Sequence, residues 1–233
     1  LVIHNLNNSA EDTIPFVTSY TFSKKSNVLA YATTGIKDSI HPGVYIKNLK
    51  SNLTQNVYKS HDKAKYYKLS LSDSAKNLAF IVDNDSTKSY QKSNELYNWS
   101  FPNQEAKLIV NKTNSPEGGY GVSSDGTLNF SNDESKLYFG LALPKIVQDT
   151  LLIEEEIVNV EVWTYNEPRL YTIQEKQLNN DKKKSFKTVY HLKKDKLVQI
   201  ASKEFPDAIL TEDGDKDYAL ISRIEPYQLS SQW

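Results

Sequence analysis

The chain has 233 residues, of which 38% are hydrophobic and 24% charged, and its formal net charge is -1. That balance fits a globular protein and supplies no electrostatic footprint for nucleic acid. No apolar run approaches the ~20 residues of a membrane span, no signal peptide opens the chain, and the absence of Cys excludes disulfides, zinc-thiolate sites and cysteine nucleophiles.

Met is also absent, and the first residues, Leu1-Val2-Ile3-His4-Asn5-Leu6, read as a strand without a lead-in. The expectation is an excised piece of a longer protein, beginning on the last strand of a preceding unit. A polar loop is expected from Asn7 to Pro15. Phe16–Phe22 and Val28–Thr33 then read as strands because β-branched and aromatic residues pack well on a pleated surface. Val44-Tyr45-Ile46 and Val57-Tyr58 complete a four-stranded unit, with Pro42-Gly43 as punctuation. The plan repeats in Tyr66–Leu71, Leu78–Val82, Leu96–Trp99 and Ala106–Val110, and a third unit starts near Gly121 with its central run at Leu137–Leu143.

From Pro144 to Lys184 the pattern changes. Val158–Trp163 alternates as a strand, and a helix is expected over about 166–184, with Asn166 as cap and Glu167-Pro168 in the first turn. Leu170, Ile173 and Leu178 fall at helical spacing, and Lys182-Lys183-Lys184 complements the negative helix end. Strand character returns at Ser185–Leu192 and Leu197–Ile200, and residues 204–233 read as the start of a fourth unit.

One phrase organises these segments. Phe22–Tyr31, Leu71–Phe80 and Phe130–Phe139 each run from a large apolar residue through Ser and a polar turn to a Leu and an aromatic, and Leu210–Leu220 is a looser copy. The copies lie 49, 59 and 80 residues apart, where a propeller blade recurs every ~40–50 residues. The expected fold is all-β: a partial β-propeller of about three full blades of four-stranded antiparallel sheet plus part-blades. It forms a single domain over 1–233, with the insertion 144–184 lengthening the last interval.

The repeated phrase resembles the propeller repeat of TolB-like proteins and of prolyl oligopeptidase family serine peptidases. The resemblance sharpens at Val160–Leu170, Lys182–Leu192, Lys196–Ala201 and Tyr227–Trp233. Together these look like the N-terminal propeller region of such peptidases from the Bacteroidetes group. That resemblance implies a following α/β-hydrolase domain with a Ser-Asp-His site, a propeller that filters and helps to bind peptide substrates, and a periplasmic or secreted location, a cytoplasmic one remaining open. The partners are that hydrolase domain and the peptide. No cofactor is implied. The alternative is a TolB-like binding propeller that docks a protein or a glycan.

This chain carries no Gly-x-Ser-x-Gly elbow; Gly121-Val122-Ser123-Ser124-Asp125-Gly126 lacks the second Gly and reads as a turn. No catalytic residue is assigned. Glu154, Glu155 and Glu156 invite comparison with the paired glutamates that hold a substrate amino terminus in the dipeptidyl-peptidase IV branch. Leu151-Leu152-Ile153 before them departs from that branch's aromatic context, so the default is a solvated acidic bend. His4, His41, His61 and His191 have no metal-ligand spacing. The 15 Tyr, 8 Phe and 3 Trp read as packing between blades, with Trp99, Trp163 and Trp233 as the positions to check for exposure. Asp73, Asp125, Asp133 and Asp213 fall in turns, where the short carboxylate bonds nearby amides.

Overall fold

The computed structural model describes residues 1–35, 39–61, 63–85, 87, 91–116, 119–145, 164, 167 and 169–228. Three sheets of the expected kind follow one another along the chain. The first contains β3 (Val17–Phe22), β4 (Val28–Thr33), β5 (Gly43–Asn48) and β6 (Thr54–Lys59), and the second β7 (Lys65–Leu71), β8 (Asn77–Asp83), β9 (Asn94–Ser100) and β10 (Lys107–Val110), each in sequential antiparallel order. In the third, β13 (Lys136–Ala142), β14 (Phe186–His191) and β15 (Lys196–Gln199) follow a first strand split into β11 (Gly121–Val122) and β12 (Asn129–Phe130), both paired with β13. β3 lies beside β7, and β7 beside β12, so the first strands share one edge of the array. Among the described residues this is the architecture of a partial β-propeller with one α-helix.

The second strand of each of these three sheets carries the core. Leu29 to Thr33, Leu78 to Asp83 and Lys136 to Leu141 are buried throughout, because these strands are covered on both faces and paired on both edges. That is why they read as continuous apolar runs while β3 alternates between half-buried and exposed. Ala30, Ala32, Val44 and Val57 of the first sheet pack against Leu78, Phe80 and Val82 of the second, and Ala79, Ile81 and Leu96 of the second against Leu137, Phe139 and Leu141 of the third. The aromatics pack between sheets as expected: Phe80 stacks on Tyr97 at 5.5 Å and meets Tyr58 of the neighbouring sheet at 5.3 Å.

Several expectations are corrected. Glu11–Thr13, read as loop, forms β2 and pairs with β1 (Val2–His4), since the chain reverses through residues 5–10 and brings the two segments into register. The helix α1 spans Tyr171–Lys182, starting later than expected, with Leu170 at its N-cap position and no side-chain cap. Glu167 and Arg169 lie outside it, and Gln174 donates back to the Arg169 carbonyl at 2.8 Å. No residue of α1 is buried, so the anticipated apolar face of Leu170, Ile173 and Leu178 covers no core. The strand expected over Val158–Trp163 and the cap Asn166 fall outside the described residues. The fourth unit begins as anticipated, with β16 (Asp207–Leu210) paired to β17 (Ala219–Ser222).

The repeated phrase forms the hairpin turn between the first and second strands, and each turn grips the next. In the first, the Ser23 hydroxyl and the Lys25 amide donate to the Asp73 carbonyl at 2.6 and 3.0 Å, while Lys24 and Lys25 reach the Asp73 carboxylate at 3.5 and 3.2 Å. In the second, the Ser72 hydroxyl donates to Glu134 at 3.1 Å, and the Ser74 amide at 2.6 Å, joined by the Ser74 hydroxyl. In the third, the Asp133 amide donates to Asp215 at 3.0 Å, Lys136 donates to the Asp215 carbonyl at 2.7 Å and pairs with Asp217 at 3.2 Å, and Tyr138 donates to the Gly214 carbonyl at 2.7 Å. Gly214 has φ +93°, and a Cβ there would meet the Tyr138 ring at 2.5 Å, so no other residue fits without movement.

Truncating Phe80, which is fully buried, is expected to cost about 3–5 kcal/mol, read as a lower urea midpoint for Phe80→Ala. The turns also make stability acid-sensitive. Burial opposes ionisation of Asp133, but donation from Ser131 and Ser135 and the charge of Lys136 hold it at about 2; the Lys25 and Lys136 ammonium groups hold Asp73 and Asp217 below the usual range. These folded values are depressed, so their stabilisation is present above the unfolded carboxylate value of about 3.9 and disappears as pH falls below it. Asp133→Asn should flatten the acid limb of the stability profile between pH ~5 and ~2, and an unchanged slope would contradict this assignment.

Candidate functional site: the cleft between the second and third sheets

Among the described residues, a cleft of about 350 Å³ opens where the second sheet meets the third, lined by Asn98, Ser100, Asn103, Lys107, Ile109, Tyr190, Leu192 and Asp195. Its second-sheet wall comes from the outer strand pair. Asn98 on β9 and Lys107 on β10 are direct cross-strand partners, so their side chains share a face. Beyond them the register shifts between Leu108 and Val110, leaving Ile109 as the extra residue of a bulge. Such a bulge re-aims a side chain, and Ile109 lines the cleft while its carbonyl accepts from Asn114 at 3.0 Å.

The opposite wall is built by the hairpin between β14 and β15. Tyr190 is buried in the core shared by the two sheets. Asp195 takes a left-handed conformation in the hairpin turn, φ 50°, and its carboxylate accepts from the Tyr190 hydroxyl and from Lys107, the latter at 2.6 Å across the sheet boundary. Lys107 first and Tyr190 second hold Asp195 below the ordinary carboxylate range. Burial first, then the bond to Asp195 and its charge, push the Tyr190 hydroxyl up, so it stays protonated as a donor.

One group in this wall is unsatisfied. Asn98 is only 6% exposed, and its amide nitrogen donates to Ser100 at 3.0 Å, whose hydroxyl donates onward to Asn77 at 2.7 Å. The Asn98 carbonyl oxygen Oδ1 has no hydrogen-bond partner. A buried acceptor without a donor costs about 1–3 kcal/mol. The Asn98 oxygen is enclosed by the wall, and the cleft itself presents the exposed Lys107–Asp195 pair beside Ile109 and Leu192.

The residues singled out in the sequence are placed elsewhere or lie outside the described part. Glu154, Glu155 and Glu156 are among the residues not described, as are Trp163 and Trp233. Trp99 is buried and donates to the Asn103 carbonyl at 2.7 Å. His4 meets Glu11 at 3.3 Å, the His41 carbonyl accepts from Tyr45 at 2.7 Å, and His61 contacts the Asn84 carbonyl at 2.9 Å. Burial, then the charges of Lys194 and Lys136, lower the His191 pKa. Among the described residues no group of three His, Asp or Glu could hold a metal. Of the turn aspartates, Asp133 caps the Ser135 amide at 3.0 Å as expected, and Asp73 instead serves the preceding turn. Asp213 sits at φ 52° in a short 3-10 turn. Ser123, in the segment weighed as a nucleophile elbow, accepts from the Asp125 and Gly126 amides, which makes it a turn. Sequence reasoning passed over Asn98, Lys107 and Asp195, which are dispersed over two sheets; the cross-strand register that pairs Asn98 with Lys107 and the αL turn that places Asp195 leave no pattern in the residue order.

No known protein-family profile matches the chain, and no curated protein matches it. Solved structures with a similar backbone include the β-propeller domain of the trilobed protease from Pyrococcus furiosus (TM-score 0.45, 14% identity, covering 85% of this chain and 46% of that one). A prolyl endopeptidase gives 0.44 and 13%, covering 88% and 26%. An oligogalacturonate lyase from Vibrio parahaemolyticus gives 0.41 and 11%, covering 91% and 61%. The chain spans less than two thirds of the length of each. At such identities no residue role transfers.

The cleft's polar bridge should contribute little to stability. Both side chains of the Lys107–Asp195 pair are 62% exposed, so Lys107→Ala is expected to cost under ~1 kcal/mol. Tyr190→Phe should cost about 1 kcal/mol through the lost bond to Asp195. Chemical denaturation of both variants measures this, and a loss above ~3 kcal/mol for Lys107→Ala would show the pair to be shielded from water.

Proposed function

We propose that this chain is the non-catalytic propeller segment of a prolyl oligopeptidase-type serine peptidase. In this reading it forms one partial propeller domain with the insertion 144–184, works outside the cytoplasm, and filters and helps to bind peptides for a hydrolase domain carried by the same parent protein. The sequence resemblance points to that family. The observation that carries the scaffold role is the pair of unfinished flanks. Leu220 on β17 is 64% exposed, with Ile209 and Ile221 beside it in the same two-stranded sheet, and on the other flank Tyr20 and Phe22 of β3 are open to solvent. A blade buries its faces against neighbouring blades, so apolar side chains at both ends of the arc call for further structure against them.

The gene beyond the Trp233 codon is the test. A Gly-x-Ser-x-Gly elbow followed by Asp and His is expected downstream, in a parent protein that cleaves short peptides. A stop codon or a binding module there would overturn the peptidase reading in favour of a binding propeller. The purified 233-residue chain should hydrolyse no peptide, and turnover by it would contradict the non-catalytic assignment.

A further inference from the structure

We propose that the open flanks are a self-association surface: a second copy of this chain completes the half-built sheets at both ends, β17 of each copy pairing with β1 of the other. Such pairing does not depend on the peptidase reading, because it needs only strands of this chain.

The two ends are opposite halves of the same unit. β16 and β17 flank the fourth turn, which the third sheet grips through Asp215 and Gly214. They are a first and a second strand, with no third among the described residues. β1 and β2 precede β3 as β5 and β6 precede β7, so they are a third and a fourth strand without the inner two. Leu1, Ile3 and Ile14 pack on Leu29, Tyr31 and Tyr45, and Asp12 reaches Lys47 on β5 at 2.6 Å. The outer part of the first sheet is thereby covered. Tyr20 and Phe22, cross-strand partners of Tyr31 and Leu29 on the same face, stay open on its first strand. The missing piece is an inner strand pair, which is what the other end of the chain carries.

Both edges are open to pairing. Leu1 and Ile14 exchange hydrogen bonds at 2.9 and 2.8 Å, and the Asn5 amide donates to the Ala10 carbonyl at 2.8 Å. Antiparallel alternation then turns the Val2 and His4 amides to the opposite edge, where no strand lies among the described residues. β17 reads Ala219-Leu220-Ile221-Ser222, without charge, Pro or Gly. The outer edge strands β6, β10 and β15 instead carry Lys59, Lys107 and Lys196. A charge guards an edge against pairing, and β17 has no such guard. The second strand of each of the three larger sheets is paired on both sides.

Charge and shape select a second copy as the partner. With β17 beside β1, the fourth turn of one copy falls next to the first turn of the other. The fourth turn exposes Glu212 and Asp213, the former meeting Lys216 at 3.3 Å, and the first turn exposes Lys24 and Lys25. Ile209 and Leu220, direct cross-strand partners on the open face, are laid against Tyr20 and Phe22. Within one chain β1–β2 and β16–β17 are separate sheets, so the joint runs between chains. Two copies about a two-fold axis make both joints at once, and the contacts close instead of propagating. The ring then has eight sheets, two of them shared, at the upper end of the ~4–8 blades of propellers.

Light scattering on the eluting 233-residue chain reads the association, and a dimer is expected. Leu220→Lys and Tyr20→Lys lie one on each flank, and both positions are exposed in the single chain. Each variant is expected to keep the native circular dichroism and to weaken dimerisation about tenfold or more, because it places an ammonium group in an apolar joint. A carbodiimide couples a lysine to a carboxylate in contact with it. In a mixture of 14N- and 15N-labelled chains, coupling of Lys24 or Lys25 to Glu212 or Asp213 is expected to join chains of different label. A monomer at the highest soluble concentration, an open series of multimers, a dimer unchanged by both variants, or mixed-label coupling confined to other residues overturns the proposal. Coupling of these two turns within a monomer overturns it as well, in favour of closure by one chain. A monomer leaves the peptidase reading to the gene beyond Trp233. Conversely, a dimer whose gene stops at Trp233 removes the peptidase reading and keeps the joint.

Discussion

The arrangement depends on how each sheet is tied to the next at the turn between its first and second strands. Packed sheets can slide over an apolar interface, because burial is proportional to area and carries little direction. Hydrogen bonds carry direction. At the boundary that follows each of the three sheets, a Ser, Lys or amide donor in one turn meets an acid or a carbonyl in the next: Asp73 after the first, Glu134 after the second, Asp215 and Asp217 after the third. The serine that recurs in the phrase also accepts within its own turn, as Ser72 does from the Asn77 amide at 3.1 Å and Ser131 from the Lys136 amide at 3.0 Å. One residue type closes the hairpin, and its hydroxyl or its neighbours orient the next.

Backbone strain enters the same contacts. Ala75 and Glu134 occupy equivalent places in their turns and both adopt positive φ, 60° and 56°. A non-glycine residue there costs of order 1 kcal/mol. At Glu134 the cost is offset by three hydrogen bonds to Ser72 and Ser74 of the preceding turn. The third sheet has a related device: the chain folds across Gly140 between β11 and β12, where a Cβ on Gly126 would lie 2.7 Å from the Gly140 Cα. Two facing glycines let the loop lie flat on the central strand.

The cleft follows from this framework. The second and third sheets are clamped at the turn end by Glu134 and share a buried core. Toward the outer strands a cleft opens beside the bulge at Ile109 and the hairpin at Asp195, and the Lys107–Asp195 pair bridges it. A polar lining there leaves the packing of the inner strands undisturbed.

Sequence alone placed most strands of the three sheets, the recurring turns and the apolar runs that became their second strands. These depend on local preference and on two-sided burial, which leave runs such as Leu78–Val82 visible in the residue order. It missed β2, in which Glu11 and Asp12 have little strand preference and the strand forms through pairing with Val2–His4. It placed the helix start too early, because Asn166 and Pro168 are start signals while the helix itself has no buried face to anchor its boundaries. Tertiary structure alone decided which acid each turn uses and which residues meet in the cleft. Glu134 and Ser74 are 60 residues apart, and Lys107 and Asp195 are 88 apart. Contacts of that separation are set by how sheets stack, and neither spacing nor periodicity records them.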